Sequence, residues 1–380
     1  MDEKSVRDLV ARSFPSLAEM TYLNNASTGI PPVEMINAVN AYLSERMMAK
    51  DLMEYTIEKM TSVRERLARL LGGRPENYAL MTSTSDGLNA AAHSISYRPG
   101  SNIVISDLEF PSNYIPWQHA CRLYGTELRV VRSKNGAAPE EDYIRLIDDK
   151  TTIVAVSHVQ FASGYRSDLS LLSESVHQVG GYLVADIIQS AGCVCIDLER
   201  LGVDFAAAQA AKWLIGPIGA GFLYVSDRAI ETVTPRYASW WGMEDLEDFS
   251  FRERRMLPDA RRFQTGSLPM MPLVGFDACL HVLSTISIDT VSNLANDRAD
   301  YLRSRLHEEG VSHYDFGREH NSTIVSLQVS DAEEVVKRLA EERIYCSARQ
   351  GRLRVSPHFY HTRGDIDRLA EHLVMRDVRD

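Results

Sequence analysis

The sequence predicts an α/β protein: a mostly parallel sheet covered by helices on both faces, followed by a smaller α+β unit. Three observations carry this. Short apolar runs recur at regular intervals, at Ile103-Val104-Ile105, Leu128-Arg129-Val130-Val131, Ile153-Val154-Ala155-Val156, Leu183-Val184-Ala185 and Phe222-Leu223-Tyr224-Val225. They have the length of buried strands, in the rhythm of βαβ units. Helical spacing links Val33, Ile36, Val39, Leu43 and Met47 after Pro31-Pro32, and Ile57, Met60, Val63, Leu67, Leu70 and Leu71 before Gly72-Gly73, a suitable stop. After about residue 265 the pattern changes to a long helical segment (290–309), a strand (323–329), a helix (332–342) and a strand at Leu353-Arg354-Val355. A chain of 380 residues exceeds one small core. We therefore divide it into a large unit, residues 15–264, and a small unit, residues 265–380.

Composition narrows the function classes. A net charge of -11 argues against a nucleic-acid partner, because phosphate contacts dominate such binding. The cluster Arg252, Arg254, Arg255, Arg261 and Arg262 is broken by Glu253 and Asp259 and reads as a solvated or subunit-facing surface. No stretch approaches the roughly 18 uninterrupted apolar residues of a membrane span, and the opening MDEKSVRDLV has acids where a secretory signal needs a basic head. A cytoplasmic protein without a membrane partner is expected. The cysteines Cys121, Cys193, Cys195, Cys279 and Cys346 lack metal-ligand spacing, so no metal is expected. Cys193 and Cys195 read as buried filler sharing one face of a strand.

The chemistry concentrates in residues 182–225. Asp186 closes the run Tyr182-Leu183-Val184-Ala185, which puts a carboxylate at the C-terminal end of a parallel strand, where open α/β sheets bind ligands. Lys212 stands between the apolar segment 203–211 and the turn Gly216-Pro217-Ile218-Gly219-Ala220-Gly221. Pyridoxal phosphate chemistry needs such a pair: a lysine amine that holds the cofactor as a Schiff base, and a carboxylate that keeps the pyridine nitrogen protonated. Taken singly, each would read as a buried Asp in an ion pair and a surface Lys at a turn.

The flanking residues carry a resemblance. Asp186-Ile187-Ile188-Gln189-Ser190-Ala191-Gly192 matches D-x-x-Q-x-x-G, and residues 212–224 match K-W-L-x-G-P-x-G-x-G-F-L-Y. The chain thus resembles the class V aminotransferase branch of fold-type I pyridoxal-phosphate enzymes, which contains cysteine desulfurases, selenocysteine lyases, kynureninase and isopenicillin N epimerase. The resemblance implies a sheet of the seven-stranded type in the large unit, with residues 1–14 packed on the small one. It makes Lys212 and Asp186 the catalytic pair and Gln189 a contact to the ring oxygen.

It also extends to other segments. Tyr22-Leu23-Asn24-Asn25-Ala26-Ser27 matches the family's opening and would set Asn25 at the edge of the substrate pocket. Thr84 and Ser85, at the start of a helix, would bind the cofactor phosphate; Ser and Thr are also common N-caps there. Phe110 stands where desulfurases stack a His on the ring, supplying an aromatic face without a proton. The segment 160–163, opened by Gln160, would lie near the ring oxygen or the substrate. His158 reads as a strand-end histidine in preference to a general base. The family's S-x-H before the lysine is here Gln209 and Ala211, and Gln209 could replace the missing phosphate donor. Thr265-Gly266-Ser267 corresponds to the segment that reaches the partner's cofactor phosphate, which implies a homodimer. Arg354, alternating with Leu353 and Val355, would point into the cleft and take a substrate carboxylate; the competing account is an Arg tied to a neighbouring acid.

Together these imply a pyridoxal 5'-phosphate enzyme acting on a small amino acid, with transamination the expected reaction. A Cβ–S(e) lyase or an epimerase is the alternative, and a non-catalytic binding module is a more distant one. Cysteine desulfuration is not expected. The interval from Arg349 to Arg354 holds no cysteine and no length for a loop, and Cys346 belongs to an apparent strand.

Overall fold

The computed structural model describes residues 1–48, 52–250 and 252–373. In chain order the first elements are α1 (Glu3–Ser13), β1 (Thr21–Tyr22), α2 (Val33–Met47), α3 (Met53–Leu71), β2 (Tyr78–Met81), α4 (Thr84–Ser94), β3 (Asn102–Ser106), α5 (Pro111–Tyr124), β4 (Glu127–Val131), α6 (Glu140–Ile144), β5 (Thr151–Ser157), α7 (Leu169–His177), β6 (Tyr182–Asp186), β7 (Phe205–Gln209), β8 (Gly221–Val225), α8 (Asp227–Ile230) and α9 (Met270–Ile286). The small unit follows with α10 (Ile288–Glu308), β9 (Val325–Leu327), α11 (Ala332–Glu341), β10 (Ile344–Tyr345), β11 (Ser347–Arg349), β12 (Arg352–Val355) and α12 (Arg363–His372).

Seven strands form the large sheet in the order β2-β8-β7-β6-β5-β3-β4. Strands β3 to β7 run parallel to their neighbours among them, and β8 runs against both β7 and β2. Except along the edge strand β4, both faces are buried, and this is why the strands read as continuous apolar runs. Leu183 and Ala185 of β6 enter one core while Val184 enters the other; Val154 and Val156 of β5 divide from Ile153 and Ala155 in the same way. The parallel strands deliver Ser106, Ser157, Asp186 and Gln209 at their C-terminal ends.

The small unit packs a three-stranded antiparallel sheet, β11-β12-β9, on its helices around Leu302, Leu327, Leu339, Leu353, Val355 and Ile366. Leu23 stands in the same core, because β1 pairs in parallel with β10, Thr21 opposite Ile344. The N-terminal segment is thereby stitched to the small unit. Helix α1 sits there too: Glu3 bridges to Arg298 of α10 at 3.1 Å, and Phe14 meets the rings of Phe359 and Tyr360.

Several elements differ from expectation. Helix α9, which the sequence did not announce, buries Leu273, Phe276, Cys279, Leu280 and Leu283 in the large core and lies against α2 and α3; that core continues past the 81° bend to Val291 of α10, and the small core begins at Ala299 and Leu302. Ser287 makes that bend with φ +82° and caps α10 by accepting the Thr290 N–H at 3.3 Å. Strand β2, four buried residues, is too short to show a period in the sequence. Cys193 and Cys195 lie in irregular chain: Cys193 is buried against Thr323, and Cys195 is exposed beside Asp289. No single helix among the described residues is long and apolar enough to cross a membrane.

Candidate active site

Asp186 and Lys212 open onto one cavity of about 280 Å³ at the strand ends. Its wall also includes Ala26, Ser27, Ser83, Thr84, Ser85, Phe110, Ser112, Phe161, Gln189, Gln209, Arg349 and Arg354. Backbone contacts of unusual closeness fix the lysine. A Cβ added to Gly29 would stand 2.1 Å from the Lys212 carbonyl oxygen, and one on Gly192, whose φ is +102°, 2.4 Å from that of Trp213. Only glycine permits these approaches. The Ile215 N–H closes the turn onto the Lys212 carbonyl at 3.0 Å with φ +51°, a strained value for a β-branched residue. Gln189 ties the two motifs together: its Oε1 accepts the Trp213 indole N–H at 2.8 Å and its Nε2 donates to the Ala26 carbonyl at 3.0 Å.

Two buried carboxylates near the cavity contrast. Glu109 is fully satisfied by donors from Ser157 N–H at 2.9 Å, Gln160 at 2.9 Å, Asn113 at 2.8 Å and the Ser157 hydroxyl. Among the described residues Asp186 receives one hydrogen bond, from the Ile188 N–H at 3.0 Å. Burial pushes its carboxyl well above the usual range, Glu109 adds to this, and Lys212 opposes it. Burial likewise pushes the Lys212 ammonium below the ordinary lysine value, opposed by Asp186 and helped by Arg354 and Arg349. Among the described residues no carboxylate lies within ion-pair distance of the Lys212 amine, which sits 5.8 Å from the Phe110 ring centroid. Phe110, 42% exposed, meets Phe161 edge-on and overhangs the cavity.

Arg354 is 1% exposed. It donates to Ser347 Oγ at 3.2 Å, the Phe161 carbonyl at 2.7 Å and Ser27 Oγ at 2.7 Å, and to no acid among the described residues. The account in which a neighbouring acid ties it down is thus excluded. Burial, with Arg349 beside it, pushes it down to about 9. At the far end, Ser83 caps α4, Ser85 bonds Ser112 at 2.8 Å, and the Thr84 hydroxyl is buried with no partner among the described residues.

Not every expected residue reaches the cavity. Asn25 is fully buried between the Ser356 carbonyl, to which it donates at 2.7 Å, and the Tyr360 hydroxyl. Its neighbours Ala26 and Ser27 face the cavity in its place. Gln160 is turned back into the Glu109 network. Thr265 lies in a separate hollow against Asp86, Asn89 and His93. His158 is buried on Ser190 at 3.0 Å, and burial pushes it down to about 3, as befits a structural histidine. Phe161 falls in the segment 160–163 that the resemblance set near the cofactor or substrate, whereas sequence reasoning singled out none of Ser27, Ser112 and Arg349, although Ser27 stands in the matched opening.

The residues present fit pyridoxal phosphate. An unpartnered buried hydroxyl stands at a helix N-terminus suited to an anion. A buried carboxylate with one donor suits a protonated ring nitrogen, an amine without an acid suits a carbonyl carbon, and an aromatic ring overhangs the space between. Such an arrangement, on this α/β sheet, is that of a pyridoxal-phosphate enzyme. The chain belongs to the class V aminotransferase family, whose model, "Aminotransferase class-V", matches residues 21–369. It is 28% identical over 370 residues to the "Uncharacterized aminotransferase YcbU" of Bacillus subtilis (strain 168), covering 96% of both chains. It is 26% identical over 392 residues to a "Probable cysteine desulfurase" of Methanothermobacter thermautotrophicus, again with 96% of each covered. Its fold matches the cystine C-S lyase C-DES, solved with cysteine persulfide, with a TM-score of 0.87, 21% identity and coverage of 95% and 98%.

Proposed function

We propose that the protein transaminates a small α-amino acid. The observation that carries this is the meeting of the half-buried amine of Lys212 and the buried guanidinium of Arg354, neither with an acid partner among the described residues, with a sparsely bonded buried carboxylate, Asp186, at one small cavity. When bound, pyridoxal phosphate supplies an electron sink that weakens the bonds at the substrate Cα. Asp186 holds the proton on the pyridine nitrogen. Thr84, Ser85 and the first N–H groups of α4 hold the phosphate, with Gln209 as a further donor. Phe110 covers the ring and excludes water. Arg354 pairs with the α-carboxylate, and Lys212 Nζ takes the proton from Cα and would return it to the cofactor's carbonyl carbon. We further propose a cytoplasmic homodimer in which Thr265 of each subunit approaches the other's site. The thiols at the five cysteine positions, all free, suit a reducing compartment.

A lyase acting at Cβ–S is the second reading, supported by the likeness to C-DES. No cysteine lines the cavity among the described residues, and Cys346, buried in the small core, is pushed up to about 12. Desulfuration through an enzyme persulfide is therefore disfavoured. The test is incubation of the holoenzyme with single L-amino acids and no acceptor. Transamination yields stoichiometric pyridoxamine phosphate and the matching keto acid. Catalytic keto acid and ammonia, with sulfide from L-cysteine or cysteine persulfide from L-cystine and the cofactor unchanged, would replace it with the lyase, and accumulation of the D-enantiomer would replace it with an epimerase.

A further inference from the structure

Two guanidiniums, Arg349 and Arg354, stand at the cavity. In the β11–β12 hairpin Ser347 lies opposite Arg354, Ala348 opposite Leu353, and Arg349 opposite Arg352. Side chains alternate across a strand, so Ser347, Arg349, Arg352 and Arg354 share one face while Ala348 and Leu353 enter the small core. Gln350 and Gly351, with φ of +51° and +75°, close the hairpin as a two-residue turn. This fixes Arg349 on a strand end instead of a loop. Arg352 is committed elsewhere: it lies 3.9 Å from the Tyr314 ring centroid and donates to the Ser326 carbonyl at 3.0 Å. Arg349 and Arg354 both donate to the one hydroxyl of Ser27, at 3.2 and 2.7 Å.

Counting donors decides what this pair can take. A guanidinium carries five N–H groups. Arg354 spends one each on Ser347, Phe161 and Ser27, which leaves one on Nη1 and one on Nη2, the complement of a single carboxylate bound in bidentate fashion. Arg349 spends one on the Ala348 carbonyl at 2.7 Å and one on Ser27, and keeps three. No acid lies within ion-pair distance of it among the described residues, and its charge already weighs on Arg354. One α-carboxylate would satisfy Arg354 and leave the adjacent cation uncompensated.

We propose that Arg349 is a second anion subsite, and that the substrate is an α-amino acid with a further acidic group on a short side chain, of the aspartate or glutamate class. The cavity, about 280 Å³ and shared with the cofactor, leaves no room for a long one. This rests on the reading of Arg354 as the anchor of the α-carboxylate.

The test titrates the holoenzyme with L-aspartate, L-glutamate and L-alanine, followed by cofactor absorbance, and by calorimetry with succinate and propionate, which lack an amine and cannot react. At least one acidic amino acid should bind more tightly than alanine, and succinate more tightly than propionate. Arg349→Gln should lower the ratio of acidic to neutral affinity by roughly 10- to 100-fold, the worth of a charge-assisted hydrogen bond, and Arg349→Lys should recover part of it. Arg354→Gln should weaken both kinds. Alanine bound as tightly as either acid by the wild type, or equal losses for both kinds in Arg349→Gln, would overturn the subsite and leave the pyridoxal-phosphate reading intact. No response to any amino acid would remove the role of Arg354, and the subsite with it.

Discussion

The wall formed by Asp186, Gln189, Gly192 and Lys212 is a closed knot of backbone approaches and paired amides, whereas the wall formed by Ser27, Arg349 and Arg354 is a cluster of charge with donors to spare. In the first, contacts as short as 2.1 Å between a hypothetical Cβ and the Lys212 carbonyl leave no freedom of position. In the second, two guanidiniums share one hydroxyl and no acid among the described residues. The difference teaches that one side is built to hold a fixed group and the other to receive a variable one. Substitutions in the first should therefore damage position and stability, and those in the second should damage affinity.

The largest effect belongs to the lysine. Lys212→Ala removes the proposed proton carrier and should lower turnover by about 10²–10⁴-fold at least, measured in single-turnover assays with the cofactor added back. Next comes Arg354→Gln. It should cost roughly 2–5 kcal/mol of amino acid binding, with little change for the matching amines, which lack the carboxylate. Equal losses for both would show that Arg354 belongs to the rigid wall.

The pH dependence is smaller and has a definite sign. Burial disfavours the charged amine, so Lys212 loses its proton below the ordinary lysine value of about 10.4. Capture of pyridoxal phosphate by apoprotein needs the neutral amine. Its rate should rise with pH and level off well below pH 10, and a rise continuing past that point would show an unshifted lysine. The smallest effect is Gly192→Ala. Its Cβ would meet the Trp213 carbonyl at 2.4 Å on a backbone with φ +102°, at a cost of about 1–3 kcal/mol in thermal unfolding. A neutral result would mean that the knot gives way more easily than its geometry implies.

How much of this was legible in the sequence follows the same division. The rigid wall comes from two contiguous motifs whose glycines and Gln189 have fixed partners, so Asp186 and Lys212 could be named from residue order alone. The charged wall is assembled from residues 27, 161, 349 and 354, which meet only after β1 has paired with β10 and the β11–β12 hairpin has folded. Arg354 was legible because Leu353 and Val355 betray its face. Ser27 was not, since the motif located the segment without saying that Asn25 turns inward to Tyr360 and Ser356. Gln160 failed for the same reason, drawn away by Glu109, whose need for donors no pattern announces. In the fold, α9 was missed where Pro272 and Gly275 interrupt an apolar run, although it is buried on the large core.

Reduction of the holoenzyme with borohydride, followed by peptide mass spectrometry, tests the central claim most directly. The account predicts a pyridoxyl group on the peptide containing Lys212, in stoichiometric amount, and none in the Lys212→Ala protein. The adduct on another lysine, or its persistence in Lys212→Ala, would contradict it.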